Sequence, residues 1–211
     1  MAILKNGPLG NLSGKVGNVV IYTMNGKMVM RSLPAKKRAK ACGKQKDSQE
    51  LFTKVMKPIR LAKVFVKVGF AGHKGHSPYH AALSTNIKRM VDAGGFDFGQ
   101  LLFASGKLAG PLNPVLNLNE NLLQISWQGS EPDKQANPGD QAMILLLNVT
   151  RDIAEYNFYA GRRKDCLAQM AIHGAQKGDR LEVYMAFQDP DSWVKDFHPV
   201  SDSCSLGSAI F

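Results

Sequence analysis

The groups with reactive potential are few, and their spacing decides what they can do. His73, His76 and His80 recur at intervals of three and four, which would suit a metal if all three lay on one helix face. They do not, because Ser77-Pro78 reads as an N-cap and first-turn pair, so only His80 belongs to the helix that follows. Ser13-Gly14-Lys15 resembles the end of a phosphate loop. Leu9 stands where that motif needs its first glycine, and Val16 stands where it needs a magnesium-binding hydroxyl. Cys166 follows Arg162-Arg163-Lys164, whose charge could lower a thiol pKa, but a strand there makes it a small apolar residue. Glu131, Asp133, Asp140, Asp189 and Asp191 fall in turn-forming stretches and read as solvated carboxylates, not as a hydrolytic pair. Ser13 and Ser203-Cys204-Ser205 lack the strained turn of a nucleophile motif. The expectation is a protein without catalytic residues, metal or cofactor.

Charge is more informative. The net charge is +10 over 211 residues, and it is unevenly spread. Residues 1–110 hold 19 Lys and Arg against 4 acids, whereas residues 111–211 hold 8 against 13. The stretch Ala35–Lys46 alone carries six cations and no acid. Such asymmetry points to a basic working surface joined to a neutral-to-acidic module. The candidate polyanion-binding residues are Lys36, Lys37, Arg38, Lys40, Lys44 and Lys46 in this strap, with Lys54, Lys57, Arg60 and Lys67 on the next helix.

Three elements must position these cations. Val16, Val19, Val20, Ile21 and Tyr22 form a β-rich run, Asn25-Gly26 supplies a turn, and Met28, Val29 and Met30 return. From Asp47, apolar residues Leu51, Phe52, Val55, Met56, Ile59, Ala62 and Val66 share one helical face, with Pro58 expected to kink or divide it. A second helix opens at Ser77-Pro78, buries Tyr79, Leu83, Ile87 and Met90, and ends at Ala93-Gly94-Gly95. Phe98–Ser105 reads as a strand. Beyond residue 110 the signals are all β: Val115–Leu118, Leu122–Trp127, Ala142–Val149, Ile153–Tyr159, Cys166–Ile172, Leu181–Phe187 and Cys204–Phe211. The expected fold is α+β, with a hairpin and basic helical region over residues 1–110 and an immunoglobulin- or fibronectin-III-like sandwich over residues 111–211. Trp127 is then a core residue.

Cys42, Cys166 and Cys204 form no paired motif, no N-terminal signal segment is apparent, and no window approaches the ~20 apolar residues of a membrane span. A cytoplasmic chain, or part of a larger particle, is the expectation.

Several blocks carry a family resemblance. The run Gly7 to Val20 followed by Met30-Arg31-Ser32-Leu33-Pro34 resembles the opening signature of a bacterial family, domain of unknown function 6266. Tyr79–Asn86 and Ser105–Pro114 are similar to its middle blocks, and Tyr184–Phe187 with Leu206-Gly207-Ser208 to its end. The resemblance implies a two-part protein with an immunoglobulin-like C-terminal half, and it implies no activity and no site residues.

The function expected is therefore structural or binding: an assembly protein with a polyanion-facing basic half and a sandwich that contacts protein. Non-specific nucleic-acid binding is the alternative, and a hydrolase the remote one. Another protein or a further copy of the chain is the expected partner, with nucleic acid or another polyanion as the candidate ligand of the strap.

Overall fold

The computed structural model describes residues 2–4, 13–24, 26–33, 42–73, 75, 77–119, 121–129, 135–192 and 197–211. Lys36, Lys37, Arg38, Lys40, His76, Glu131 and Asp133 lie outside them. The chain divides into two compact units, Met1–Gly43 and Lys44–Phe211.

The smaller unit is an antiparallel sheet of β1 (Ala2–Leu4), β2 (Gly14–Val16), β3 (Val19–Met24) and β4 (Lys27–Ser32), in the order β1-β4-β3-β2. The expected hairpin is β3–β4, with Tyr22 opposite Val29. The apolar run before it is not one strand. Gly17 has φ +56°, a left-handed conformation that glycine adopts at little cost, so the chain turns and pairs Val16 with Val19. Among this unit's described side chains only Val29 is buried.

The larger unit has three layers. Helices α1 (Lys44–Leu61), α2 (Lys63–Gly69) and α3 (Pro78–Asp92) make the first. Pro58 sits inside α1 and is buried, while the break comes four residues later, at Ala62. Ala62 N–H still donates to the Pro58 carbonyl at 3.0 Å and Val66 N–H to the Ala62 carbonyl at 2.9 Å, so the backbone ladder runs on past the proline. A proline forfeits its own hydrogen bond to the previous turn but leaves its carbonyl free to accept. α3 is capped as its sequence implies. Ser77 Oγ accepts from His80 N–H at 3.4 Å, and the N–H groups of Gly94 and Gly95 close the far end on Val91 and Met90.

Two antiparallel sheets form the other layers. One orders β11 (Cys204–Ile210), β10 (Arg180–Gln188), β7 (Gln141–Asn148) and β8 (Ile153–Asn157); the other orders β5 (Leu112–Asn119), β6 (Leu122–Gln128) and β9 (Leu167–Ala171). All seven strand signals beyond residue 110 therefore become strands. Successive β7 residues point to opposite faces. Met143, Leu145 and Leu147 join Phe65, Phe70 and Met90 in the helix-side core, while Ala142, Ile144 and Leu146 join Leu123, Ile125 and Trp127 between the sheets. The fold is mixed α+β with a β-rich C-terminal part.

Because the helices share their core with β7 and β10, residues 44–110 and 111–211 lie in one unit, and the change of character near residue 110 is a change of layer. Phe98–Ser105 is not a strand. Phe98–Gln100 is one 3-10 turn, and Leu101–Ala104 is a buried segment held by side chains. Asn86 donates to the Leu102 carbonyl and accepts from Leu102 N–H, both at 2.7 Å, copying a strand pairing with one amide. Ser203 Oγ accepts from Phe103 N–H at 2.8 Å and Ala104 N–H at 3.3 Å.

Candidate functional site

The cations of the helical layer come first. Lys44, Lys46, Lys54, Lys57, Arg60 and Lys67 are all exposed on α1 and α2, as is Lys63. Their surroundings differ. Lys57 Nζ lies 2.7 Å from Asp152 Oδ1 and Lys46 Nζ 3.8 Å from Glu50 Oε1. Exposed pairs of this kind are worth little energetically but cancel charge locally. Lys54 shares a cavity of about 340 Å³ with Asp47 and Glu50 at the C-terminal end of α3. Arg60, Lys63 and Lys67 have no carboxylate within ion-pair distance among the described residues. At ~100° and ~1.5 Å per residue the three fall on one side of the near-continuous α1–α2 rod, spread over ~10 Å. Lys63 belongs to this row, although the helical wheel puts it near the border of the apolar face.

A second feature lies where three connections meet. The α2–α3 loop, the segment before β5 and the β10–β11 connection enclose a cavity of about 710 Å³. Its polar side chains are His73, Ser105 and Lys107, and Phe197, Pro199 and Val200 supply the apolar wall. Gly72 and Gly106 complete it. A Cβ on Gly106 would collide with the Val200 carbonyl oxygen, so a larger residue cannot let these two segments approach. Asp202 Oδ1 accepts from Gly106 N–H at 3.0 Å and Leu108 N–H donates to the Val200 carbonyl at 3.1 Å, which fixes the floor. His73 tilts against Phe70 with ring centroids 4.9 Å apart, and its Nδ1 is sealed from solvent without a hydrogen-bond partner. No hydrogen bond joins the Ser105 hydroxyl to an imidazole among the described residues. From the sequence His73 is a loop imidazole, Ser105 the end of an expected strand and Gly106-Lys107 the loop after it, and only the fold brings them together.

Other groups weighed for chemistry have structural partners. His80 Nδ1 lies 2.7 Å from Ser77 Oγ. Cys166 is not on a strand: it ends a 3-10 turn with φ +52° and packs, half-buried, beside the inter-sheet core. Burial pushes the Cys204 thiol up to about 11, far from nucleophilic at neutral pH. Asp140 is no solvated turn former. It is buried with Arg163, Oδ2 to Nε 2.9 Å, and Arg163 also lies 3.8 Å over the Phe187 ring and donates to the Ala109 carbonyl at 2.7 Å. Among the described residues no three His, Cys, Asp or Glu side chains gather as a metal site would need, and no helix is long and apolar enough to cross a membrane.

No curated protein and no solved structure matches the chain. One family model does, over residues 11–206, which takes in β2 to β4, the helices and nearly all of the β-rich C-terminal part. The chain belongs to the family of unknown function DUF6266.

Proposed function

We propose that this protein is a non-enzymatic binding and assembly module that holds a polyanion on its helical layer and contacts protein through its sandwich. The observation that carries this reading is the row Arg60, Lys63 and Lys67, exposed and free of neighbouring carboxylates among the described residues. It is supported by composition: residues 44–92 hold ten Lys and Arg against three acids. With the strap residues Lys36, Lys37, Arg38 and Lys40 just upstream in sequence, enough cations are present to neutralise several phosphates. We read the sandwich as immunoglobulin- or fibronectin-III-like. Taking β5, β6 and β9 as strands A, B and E, and β7, β10 and β11 as C, F and G, follows that family's division, with β8 added beside β7. Such sandwiches serve many partners, so the basic face carries the functional assignment.

The test is binding of the full chain to a labelled oligonucleotide at low and moderate salt. Affinity is expected to fall steeply with salt and to vary little with base sequence. Arg60→Glu with Lys63→Glu and Lys67→Glu is expected to lower the salt slope by about three, one per lost phosphate contact. Absence of binding even at low salt would remove the polyanion half of the proposal and leave assembly alone.

A further inference from the structure

We infer that the cavity between the α2–α3 loop and the β10–β11 connection binds a small organic monocarboxylate with an apolar aromatic or short-chain body. Its volume of about 710 Å³ falls within the ~300–1,000 Å³ of small-molecule pockets. The division of its lining fits such a guest. Phe197, Pro199 and Val200 offer an apolar surface for a hydrocarbon body, and Ser105, His73 and Lys107 offer hydrogen-bonding groups for one polar head.

Charge decides the sign of that head. Lys107 has no carboxylate within ion-pair distance among the described residues, so its ammonium is available to an incoming anion. Asp202, which is outside the lining, is held through Oδ1 by Gly106 N–H at 3.0 Å. His73 offers one more hydrogen-bonding atom, since with Nδ1 closed off only Nε2 is left to meet a guest. Among the described lining residues a cationic guest would meet an ammonium and no carboxylate, and a neutral guest would forgo the ion pair with Lys107. The floor is fixed by the Gly106–Val200 contact and its hydrogen bonds, so a guest meets that part of the site already made.

This inference is independent of the polyanion proposal, since it uses no residue of α1 or α2. The probes are octanoate and its neutral counterpart octan-1-ol, each titrated against the full chain by calorimetry. One octanoate per chain is expected, with octanol at least tenfold weaker, the size of one charge-assisted hydrogen bond. Lys107→Glu, at an exposed position, should weaken octanoate at least tenfold and leave octanol unchanged. Gly72→Leu, which directs a side chain at the Phe197 ring, should block both, with thermal melting and circular dichroism verifying the fold. Absence of saturable octanoate binding would overturn the inference, as would equal affinities for acid and alcohol, or octanoate binding that survives Lys107→Glu.

Discussion

Arg163 and Asp140 are each other's ion-pair partner, with the Ala109 carbonyl and the Phe187 ring completing the guanidinium's contacts and Asn137 N–H donating to the carboxylate at 3.1 Å. Burial pushes the Asp140 carboxyl up in spite of the adjacent guanidinium, and burial pulls the Arg163 guanidinium down. Desolvation thus outweighs the attraction for each ion taken singly. Removing one partner strands the other, so Arg163→Met is expected to cost about 3–5 kcal/mol in urea unfolding. Asp140→Leu added to Arg163→Met should recover most of that loss, because no isolated ion is then buried. Asp179 behaves in the opposite way. Its carboxylate accepts from Asn148 Nδ2 at 2.8 Å, Gln176 N–H at 2.9 Å and Arg151 Nε at 2.7 Å, and these donors, Asn148 foremost, hold its pKa below the ordinary value. A lowered carboxyl pKa contributes stability above about pH 4, and the contribution is lost as acid protonates the folded state. Melting temperature should therefore fall between about pH 5 and 2, and Asp179→Asn should flatten that limb at the expense of stability at neutral pH. Asp140 has the reverse sign and gives its support at the acid end, so it does not account for this fall.

At the scale of elements, the segment Leu101–Ala104 has no strand partner on its helix side and depends on Asn86. Asn86→Ala would leave the N–H and carbonyl of Leu102 buried and unpaired, a loss of about 2–4 kcal/mol. Asn86→Asp, which sets a second oxygen against the Leu102 and Ala82 carbonyls and buries a charge, should lower the denaturant midpoint at least as far as alanine does. This segment marks the limit of what the sequence discloses. Strands β5 to β11 are legible from their apolar runs and turn residues, and α3 from Ser77-Pro78 and Ala93-Gly94-Gly95, because those signals are local. Phe98–Ser105 is as apolar as a strand, and only the distant Asn86 and Ser203 make it something else. The cavity was hidden for the same reason: His73, Lys107 and Val200 are far apart in sequence, and no local pattern announces their meeting. The exposed row Arg60, Lys63 and Lys67 was largely readable, since helix periodicity alone sorts it from Val55 and Ile59. Pro58 misled in one respect, because its carbonyl still accepts and the ladder survives it.

Across the larger unit, charge divides along the chain more than across the layers. The helices carry the basic surplus and the acids gather in residues 111–211, but none of those acids lies on β5, β6 or β9. Polyanion binding, if lost in the triple charge reversal, should be lost without change in melting temperature, since none of those three side chains enters the core. The sheet in the middle has a different consequence. It is covered on both faces, so β7 is buried from Ala142 to Asn148 and β10 from Leu181 to Gln188. In a half-buried strand, sliding the pairing by one residue drives polar groups inward and is rejected at once. Here a slide would merely exchange Ala142, Ile144 and Leu146 for Met143, Leu145 and Leu147, apolar for apolar. The correct frame is instead marked at the strand ends, where Asn148 meets Asp179 and Gln188 donates to the Phe158 carbonyl at 2.9 Å. Replacing Asn148 with Leu should accordingly add a slow refolding phase in stopped-flow tryptophan fluorescence, as molecules caught in a misaligned frame unzip and try again.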